Sequence, residues 1–340
     1  MKFILLASLA FAKRHSGSGR HSLHPHGEPN NYPGYSDDEL EYSNYDSTNS
    51  NSHQYQYSPS NDRHGDSYNY AEYHQDHYSL HPHGKSLRSE MNVFAFSSSF
   101  GKAFSLNSDS APSGNLKYRG GPVVSNIEVT PIYYGNFKYM SEITAFYKGI
   151  VDSTYMDWLS EYNTHTQKIG RGKGFGGIIV KNPKKTVTTS DLEMLFDTLI
   201  EQRFIKPNQN SYYPIHFAKG ITVTSEAGMC SKWCAYHSSF TTKSGVLILY
   251  GIIPDLDDQG CAGACGLSSD LNNIMSTSAH ELIETVTDPI SHNLAWYDDG
   301  DDKGEIADIC NQMQGNVIGG DGNSYVVQLQ WSNKEQKCRL

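Results

Sequence analysis

Ser268-Ser269-Asp270-Leu271-Asn272-Asn273-Ile274-Met275-Ser276-Thr277-Ser278-Ala279-His280-Glu281-Leu282-Ile283-Glu284-Thr285-Val286-Thr287-Asp288-Pro289 is the stretch on which the reading of this chain turns. Ser268 or Ser269 can cap a helix, Asp270 in the first turn suits the positive end of its dipole, and Pro289 stops it. Leu271, Ile274, Met275, Ser278, Leu282 and Val286 recur at helical spacing along one face. His280 and Glu284, four apart, are neighbours on the opposite side, and Glu281 lies between them. A ligand pair at i and i+4 with a carboxylate at i+1 is the geometry of the His-Glu-x-x-His metalloprotease helix. There the pair holds zinc and the intervening Glu deprotonates the bound water. Here Glu284 replaces the second histidine, and carboxylate oxygen is a legitimate zinc ligand. His280 and Glu284 are therefore candidate zinc ligands and Glu281 a candidate general base. A solvated helix face carrying an incidental histidine would give the same letters.

Downstream of this helix the chain turns acidic. Between residues 255 and 308 there are 13 acidic residues and one basic residue, Lys303. Such a concentration repels itself unless water or a cation neutralises it. Two cations suit the pattern: zinc at the helix, or calcium in the loop 298–305. That loop lacks EF-hand spacing, so calcium rests on composition alone. Candidates for a third ligand are His237, just after the Cys230/Cys234 pair, and Asp308 or Glu305, just before Cys310.

Strands and helices are mixed without a regular βαβ rhythm, which points to an α+β fold with a mixed sheet and packed helices, the helix 268–289 being zincin-like. Residues 126–134 alternate and are β-branched, reading as a strand that ends at Gly135. Helical spacing follows at 141–151 and 155–162. A strand is expected over 174–180, and Ser190 is expected to cap a helix through Leu192, Leu195, Phe196 and Leu199. Further strands are expected at 215–223, 246–253 and 325–331. Arg171 and the cluster Lys181, Lys184 and Lys185 read as solvated surface, or as a face for an anionic polymer.

The rest of the chain is of another kind. Of 340 residues, those from 13 to 88 contain no Val, Ile, Phe or Met and only four Leu, yet ten of the 15 His and ten of the 23 Tyr. Too little apolar surface is available there to offset the entropy of ordering, so 13–114 is expected to be a disordered tail and 115–340 the globular domain. Ser-Leu-His-Pro-His-Gly occurs twice in the tail, at 22–27 and 79–84. Residues 1–12, with Lys2, an apolar run and Ala10-Phe11-Ala12, read as a signal peptide. The six cysteines, Cys230, Cys234, Cys261, Cys265, Cys310 and Cys338, all lie in the globular part. Their even number suggests three disulfides and an oxidising compartment, with Cys310–Cys338 the preferred pair because it would tie down the C-terminus. A thiolate zinc site built from the two Cys-x-x-x-Cys pairs is the competing reading. Net charge of −10 argues against nucleic acid as a partner, and no apolar run reaches the length of a transmembrane segment.

From about residue 118 to 338 the chain resembles the EXORDIUM-like (phosphate-induced protein) family of secreted proteins. The resemblance is carried by Tyr118-Arg119-Gly120-Gly121-Pro122-Val123, Ile132-Tyr133-Tyr134-Gly135-Asn136-Phe137, Cys230-Ser231-Lys232-Trp233-Cys234-Ala235-Tyr236-His237, Gly260-Cys261-Ala262-Gly263-Ala264-Cys265-Gly266, Ser278-Ala279-His280-Glu281-Leu282-Ile283-Glu284 and Gly304-Glu305-Ile306-Ala307-Asp308-Ile309-Cys310. Plant members of that family are apoplastic proteins tied to growth signalling. They lack the His-Glu pair found here at 280 and 281, which sets this chain with a branch similar to metallopeptidases.

Two functions follow as expectations. One is a secreted zinc-dependent hydrolase, most naturally a peptidase, with Glu281 as base and His280, Glu284 and one of Asp308 or His237 on the metal; its substrate would be an extracellular peptide or a wall or matrix polymer. The other is a non-enzymatic extracellular matrix, wall or signalling protein whose acidic site holds a structural cation. A carbohydrate binder would need exposed aromatics, for which Trp158, Trp296 and Tyr297 are available.

Overall fold

A computed structural model describes residues 42–45 and 113–340, apart from 225–232, 258–260, 262–264, 267 and 301–303. The signal peptide, nearly all of the tail and Cys230 lie outside the described residues.

The fold is α+β, built on a mixed sheet of eight strands. Its main path runs Tyr42–Tyr45, Gly177–Val180, Ile132–Tyr134, Ser211–Phe217, Leu247–Ile253, Tyr236–Thr241. The four central strands are parallel to one another, and the strands at both ends are antiparallel to their neighbours. Both faces are covered, so the strands are nearly continuous apolar runs in which alternate residues serve opposite cores. Ile132 and Tyr134 enter one core with Tyr213, Ile215, Ile248 and Tyr250, whereas Tyr133 enters the other with Tyr212 and Leu249.

Among the described residues there are four α-helices: α1 (Met140–Ile150), α2 (Thr154–Asp157), α3 (Thr189–Glu201) and α4 (Asp270–Thr287). Helix α3 buries Leu192, Leu195, Phe196 and Leu199 on one face of the sheet, while α1 and α4 share the core on the other. The cap of α3 is Thr188, not Ser190. Its hydroxyl accepts from the Asp191 N–H, and the Asp191 carboxylate accepts from the Thr188 N–H, forming a reciprocal capping box.

Several expected strands are divided. The 126–134 run breaks at Pro131 into Glu128–Val129 and Ile132–Tyr134, because proline has no N–H for the ladder. The 174–180 run becomes Lys173–Gly174 and Gly177–Val180, and 325–331 becomes Ser324–Gln328 and Gln330–Ser332. The 155–162 helix is one α-turn, α2, continued as a 3₁₀ segment over Trp158–Tyr162. Tyr42–Tyr45 lies within the stretch expected to be unstructured, yet it pairs with Gly177–Val180 at the sheet edge, with the Tyr42 ring buried near Phe204.

Helix α4 is covered on both sides. The strands Tyr236–Thr241 and Leu247–Ile253 pack on one side and Ser324–Gln328 on the other, so every residue from Asn273 to Thr287 is buried. Ser269 is its cap, with the hydroxyl accepting from the Asn272 N–H. Two disulfides are formed, Cys234–Cys265 and Cys310–Cys338, and Cys261 is also disulfide-bonded. Cys234 and Cys265 are thereby removed from any thiolate zinc site. No helix among the described residues is long and apolar enough to cross a membrane.

Candidate metal centre

Burial of α4 on both sides turns its polar stripe inward. His280 and Glu281 are 1% exposed and Glu284 is 3% exposed, so the solvated-face reading does not hold. The three line a narrow cleft together with His237, Ser238, Asp288, Ser291 and Glu305.

Three other chain segments complete the cluster. His237 comes from the antiparallel edge strand Tyr236–Thr241, whose preceding residue but one, Cys234, is anchored to Cys265. Asp288 caps the C-terminal end of α4; its Oδ1 accepts from the Ala295 N–H at 2.7 Å. Glu305 and Asp308 lie on the segment leading into Cys310, where the Glu305 N–H donates to Asp308 Oδ2 at 3.0 Å. The same segment is tied to the C-terminal strands by Gln328 Nε2 donating to the Ala307 carbonyl and the Trp331 N–H donating to the Ile306 carbonyl. Gly304, which opens it, has φ of +55°, and a Cβ there would meet Asp308 Oδ2 at 2.2 Å. Glycine at 304 thus allows the backbone to pass beside the carboxylate.

The distances define two overlapping groups that share Glu284. His280 Nε2 is 3.0 Å from Glu284 Oε1 and 3.6 Å from Asp308 Oδ1. His237 Nδ1 is 3.5 Å from Glu281 Oε2 and 3.6 Å from Glu284 Oε2, and His237 Nε2 is 3.5 Å from Glu305 Oε1. Ligand atoms of His280, Glu281 and Glu284, and separately of His237, Glu284 and Glu305, lie within 4.8 Å of one another, so either set could hold a metal ion. His237 Nε2 also lies 3.3 Å from the Asp288 carbonyl. Glu281 Oε1, Glu305 Oε1 and Asp288 Oδ2 are buried with no hydrogen-bond partner. An acceptor in that state costs free energy unless a proton or a cation supplies what water has withdrawn.

The electrostatics carry the same message. Burial raises the carboxyls of Glu281 and Glu305 above their ordinary values, that of Asp288 to about 7 and that of Asp308 to about 8. Burial works equally against charge on the histidines, but the carboxylates around them prevail. His280 is pushed up to about 10, chiefly by Glu284, and His237 well above its usual range, chiefly by Glu305. Glu284 is held down to about 2 despite burial, by the charges of His280 and His237. With no cation present, protons do the neutralising.

Of the residues singled out in the sequence, His280, Glu281, Glu284, His237 and Glu305 line this cleft. Asp308 is not among the lining residues; its Oδ1 lies 3.6 Å from His280 Nε2 and its side chain is 17% exposed. Asp288 was not anticipated: next to Pro289 it read as part of a helix stop, and its type alone gave no sign that the chain beyond it would fold back. The acidic residues of the 298–305 loop that are described do not converge. Asp298 accepts N–H groups from Asn115 and Gly300, whereas Glu305 turns to His237. The aromatics offered for carbohydrate are already engaged. Trp296 packs between Tyr118 and Tyr162, and the exposed Trp158 ring is covered by the Arg339 guanidinium. Arg171 pairs with Asp157 and Lys184 with Asp191 at the surface.

Compared with known proteins, the chain matches no family model and has no significant match to a curated protein or a solved structure.

Proposed function

We propose that the protein is a secreted, metal-dependent hydrolase of the peptidase type, with zinc held by His280, Glu284 and Asp308 and with Glu281 as general base. The observation that carries this reading is the spacing of the donors. Ligand atoms of His280, Glu281 and Glu284 lie within 4.8 Å of one another, close enough for one ion among them, and Asp308 Oδ1 lies 3.6 Å from His280 Nε2. The orphaned acceptors in the cleft fit a cation as the missing partner.

When bound, zinc lowers the pKa of its water toward about 7 and polarises a carbonyl. Glu281 would be the group placed to take up a proton there. Its Oε2 is steadied by His237 Nδ1, while Oε1 is the oxygen left without a partner and available for the transfer. A peptide is favoured as substrate because the cleft is bordered by residues 235–238 at the start of the edge strand, where an extended chain can add to the sheet by backbone hydrogen bonds. Disulfides and the expected signal peptide support an extracellular setting. The family suggested by the sequence blocks, EXORDIUM-like, is consistent with that setting and stays part of this proposal.

Glu281→Gln tests it. Hydrolysis of a peptide library should fall by about 10²–10⁴-fold while zinc content is unchanged, as expected for loss of a general base. Wild-type protein that holds no zinc and cleaves nothing overturns the proposal. Zinc bound with no turnover in either protein assigns the cation a structural role instead.

A further inference from the structure

Glu284 offers its two carboxylate oxygens to two different histidines. Oε1 faces His280 Nε2 at 3.0 Å and Oε2 faces His237 Nδ1 at 3.6 Å. A single cation on His280, Glu284 and Asp308 leaves the second half of the cluster unexplained. That half contains His237, which is buried among acids, and Glu305, which is 2% exposed with Oε1 lacking a hydrogen-bond partner and lining the cleft.

We propose that the cleft holds two divalent cations bridged by Glu284, the first on His280, Glu284 Oε1 and Asp308, the second on His237, Glu284 Oε2 and Glu305. Three observations converge. The ligand atoms of His237, Glu284 and Glu305 lie within 4.8 Å of one another, as a common ion requires. Charge points the same way: Glu281, Glu284, Asp288, Glu305 and Asp308 as carboxylates carry five negative charges, so with neutral imidazoles two divalent ions would leave one where a single ion would leave three. The His237 ring is also fixed from behind, with Nε2 3.3 Å from the Asp288 carbonyl, the kind of outer hydrogen bond that orients a ligating imidazole.

Two such ions would act as a pair that clamps both the attacking and the leaving oxygen of a substrate. The nitrogen and oxygen donor set, without sulfur, suits first-row divalent ions such as zinc or manganese. With His237 Nδ1 on the second ion, that nitrogen would no longer steady Glu281 Oε2, while Glu281 still lines the cleft with Oε1 unpartnered. The inference depends on the preceding reading only through the first cation, and the two can fail separately.

The test is metal stoichiometry on the full chain, equilibrated with Zn²⁺ and analysed for bound metal, for the wild type and for Glu305→Gln, Asp308→Asn and Glu284→Gln. The ten histidines of residues 13–88 contribute equally to all four proteins, so the differences decide. Glu305→Gln and Asp308→Asn should each lose one equivalent, and Glu284→Gln should lose two. A loss at Asp308→Asn with none at Glu305→Gln overturns the second site and leaves the hydrolase proposal standing. A loss of only one at Glu284→Gln refutes the bridge. No difference among the four proteins refutes both. Wild-type protein loaded with Mn²⁺ provides a readout that needs no variant: electron paramagnetic resonance should show a spin-coupled pair, and isolated Mn²⁺ alone overturns the proposal.

Discussion

Removing the Cys310–Cys338 bridge separates two roles that the same covalent bond could have. Cys310 is fully buried two residues beyond Asp308, and Cys338 lies on the last strand, Lys337–Arg339; the two are 28 residues apart in sequence. Closing a loop of that length removes unfolded-state entropy equivalent to about 3.6 kcal/mol at 25 °C. For a folded region of this size, about 2–4 °C per kcal/mol translates that into a fall in Tm of about 7–14 °C. The perturbation is the double variant Cys310→Ser, Cys338→Ser, which leaves no unpaired thiol, melted in the presence of a chelator so that metal does not enter.

In the native state the segment bearing Asp308 keeps its other tethers, from Gln328 to Ala307, from Trp331 to Ile306 and from Glu305 to Asp308. Zinc affinity of the folded double variant should therefore fall less than about tenfold, which is about 1.4 kcal/mol. Competition against a chromophoric chelator well below Tm measures it. A Tm lowered by less than about 3 °C, under 1–2 kcal/mol, refutes the loop-closure argument. An intact Tm with affinity lost by more than about a hundredfold, about 2.7 kcal/mol, would mean that the bridge positions Asp308 instead.

Gly304→Ala should weaken zinc binding and also lower stability. The left-handed backbone at 304 costs a Cβ-bearing residue about 1–2 kcal/mol, and the added methyl, 2.2 Å from Asp308 Oδ2, must push that carboxylate aside; unchanged affinity in the same competition assay would refute the placement of Asp308. Asp191 gives a pH prediction. Burial alone would raise its carboxyl, but Lys184 Nζ at 2.8 Å and the Thr188 hydroxyl and N–H hold it below its ordinary value. A group depressed on folding stabilises above its unfolded pKa, about 3.9, and loses that contribution as pH falls through the lower folded value. Asp191→Asn should therefore cost up to about 1 kcal/mol near pH 6 and almost nothing near pH 2, read from urea midpoints; a cost independent of pH would show that the charge has no part in the cap.

Local signals in the sequence placed α4 to within two residues, since a serine cap and a proline stop act on their immediate neighbours. Chemistry of that kind is less decisive when two versions compete. Ser190 with Glu193 fits a capping box as well as Thr188 with Asp191, and Lys184 at 2.8 Å from Asp191 favours the second pair. Breaks within strands were hidden for a different reason. At Pro131 the side-chain alternation continues through the interruption, so hydrophobic pattern alone reads one strand where hydrogen bonding makes two. Pairing of Tyr42–Tyr45 with Gly177–Val180 was beyond composition entirely, because one buried tyrosine in a polar stretch contributes little to any average.

The orientation of the His280, Glu281 and Glu284 stripe was the least legible feature and the one that matters most. Amphipathic reasoning assigns the apolar face to the core and the polar face to water, and an inward polar stripe violates that rule. Yet α4 carries its own contrary signal: its 18 residues include no lysine or arginine. Solvated helix faces ordinarily use those long basic side chains to balance neighbouring acids and to cover apolar surface. A helix with three acids, small hydroxyl residues and a single histidine cannot fully neutralise its own charge. It must take the counter-charge from outside, and the chain that folds over it adds Glu305, Asp308 and Asp288 rather than a cation. His237, from the edge strand, is the only other basic group brought to the cleft among its described lining residues. Replacing such a cluster with packed aliphatics would stabilise the fold, so its presence is better explained by what it binds than by what it contributes to stability.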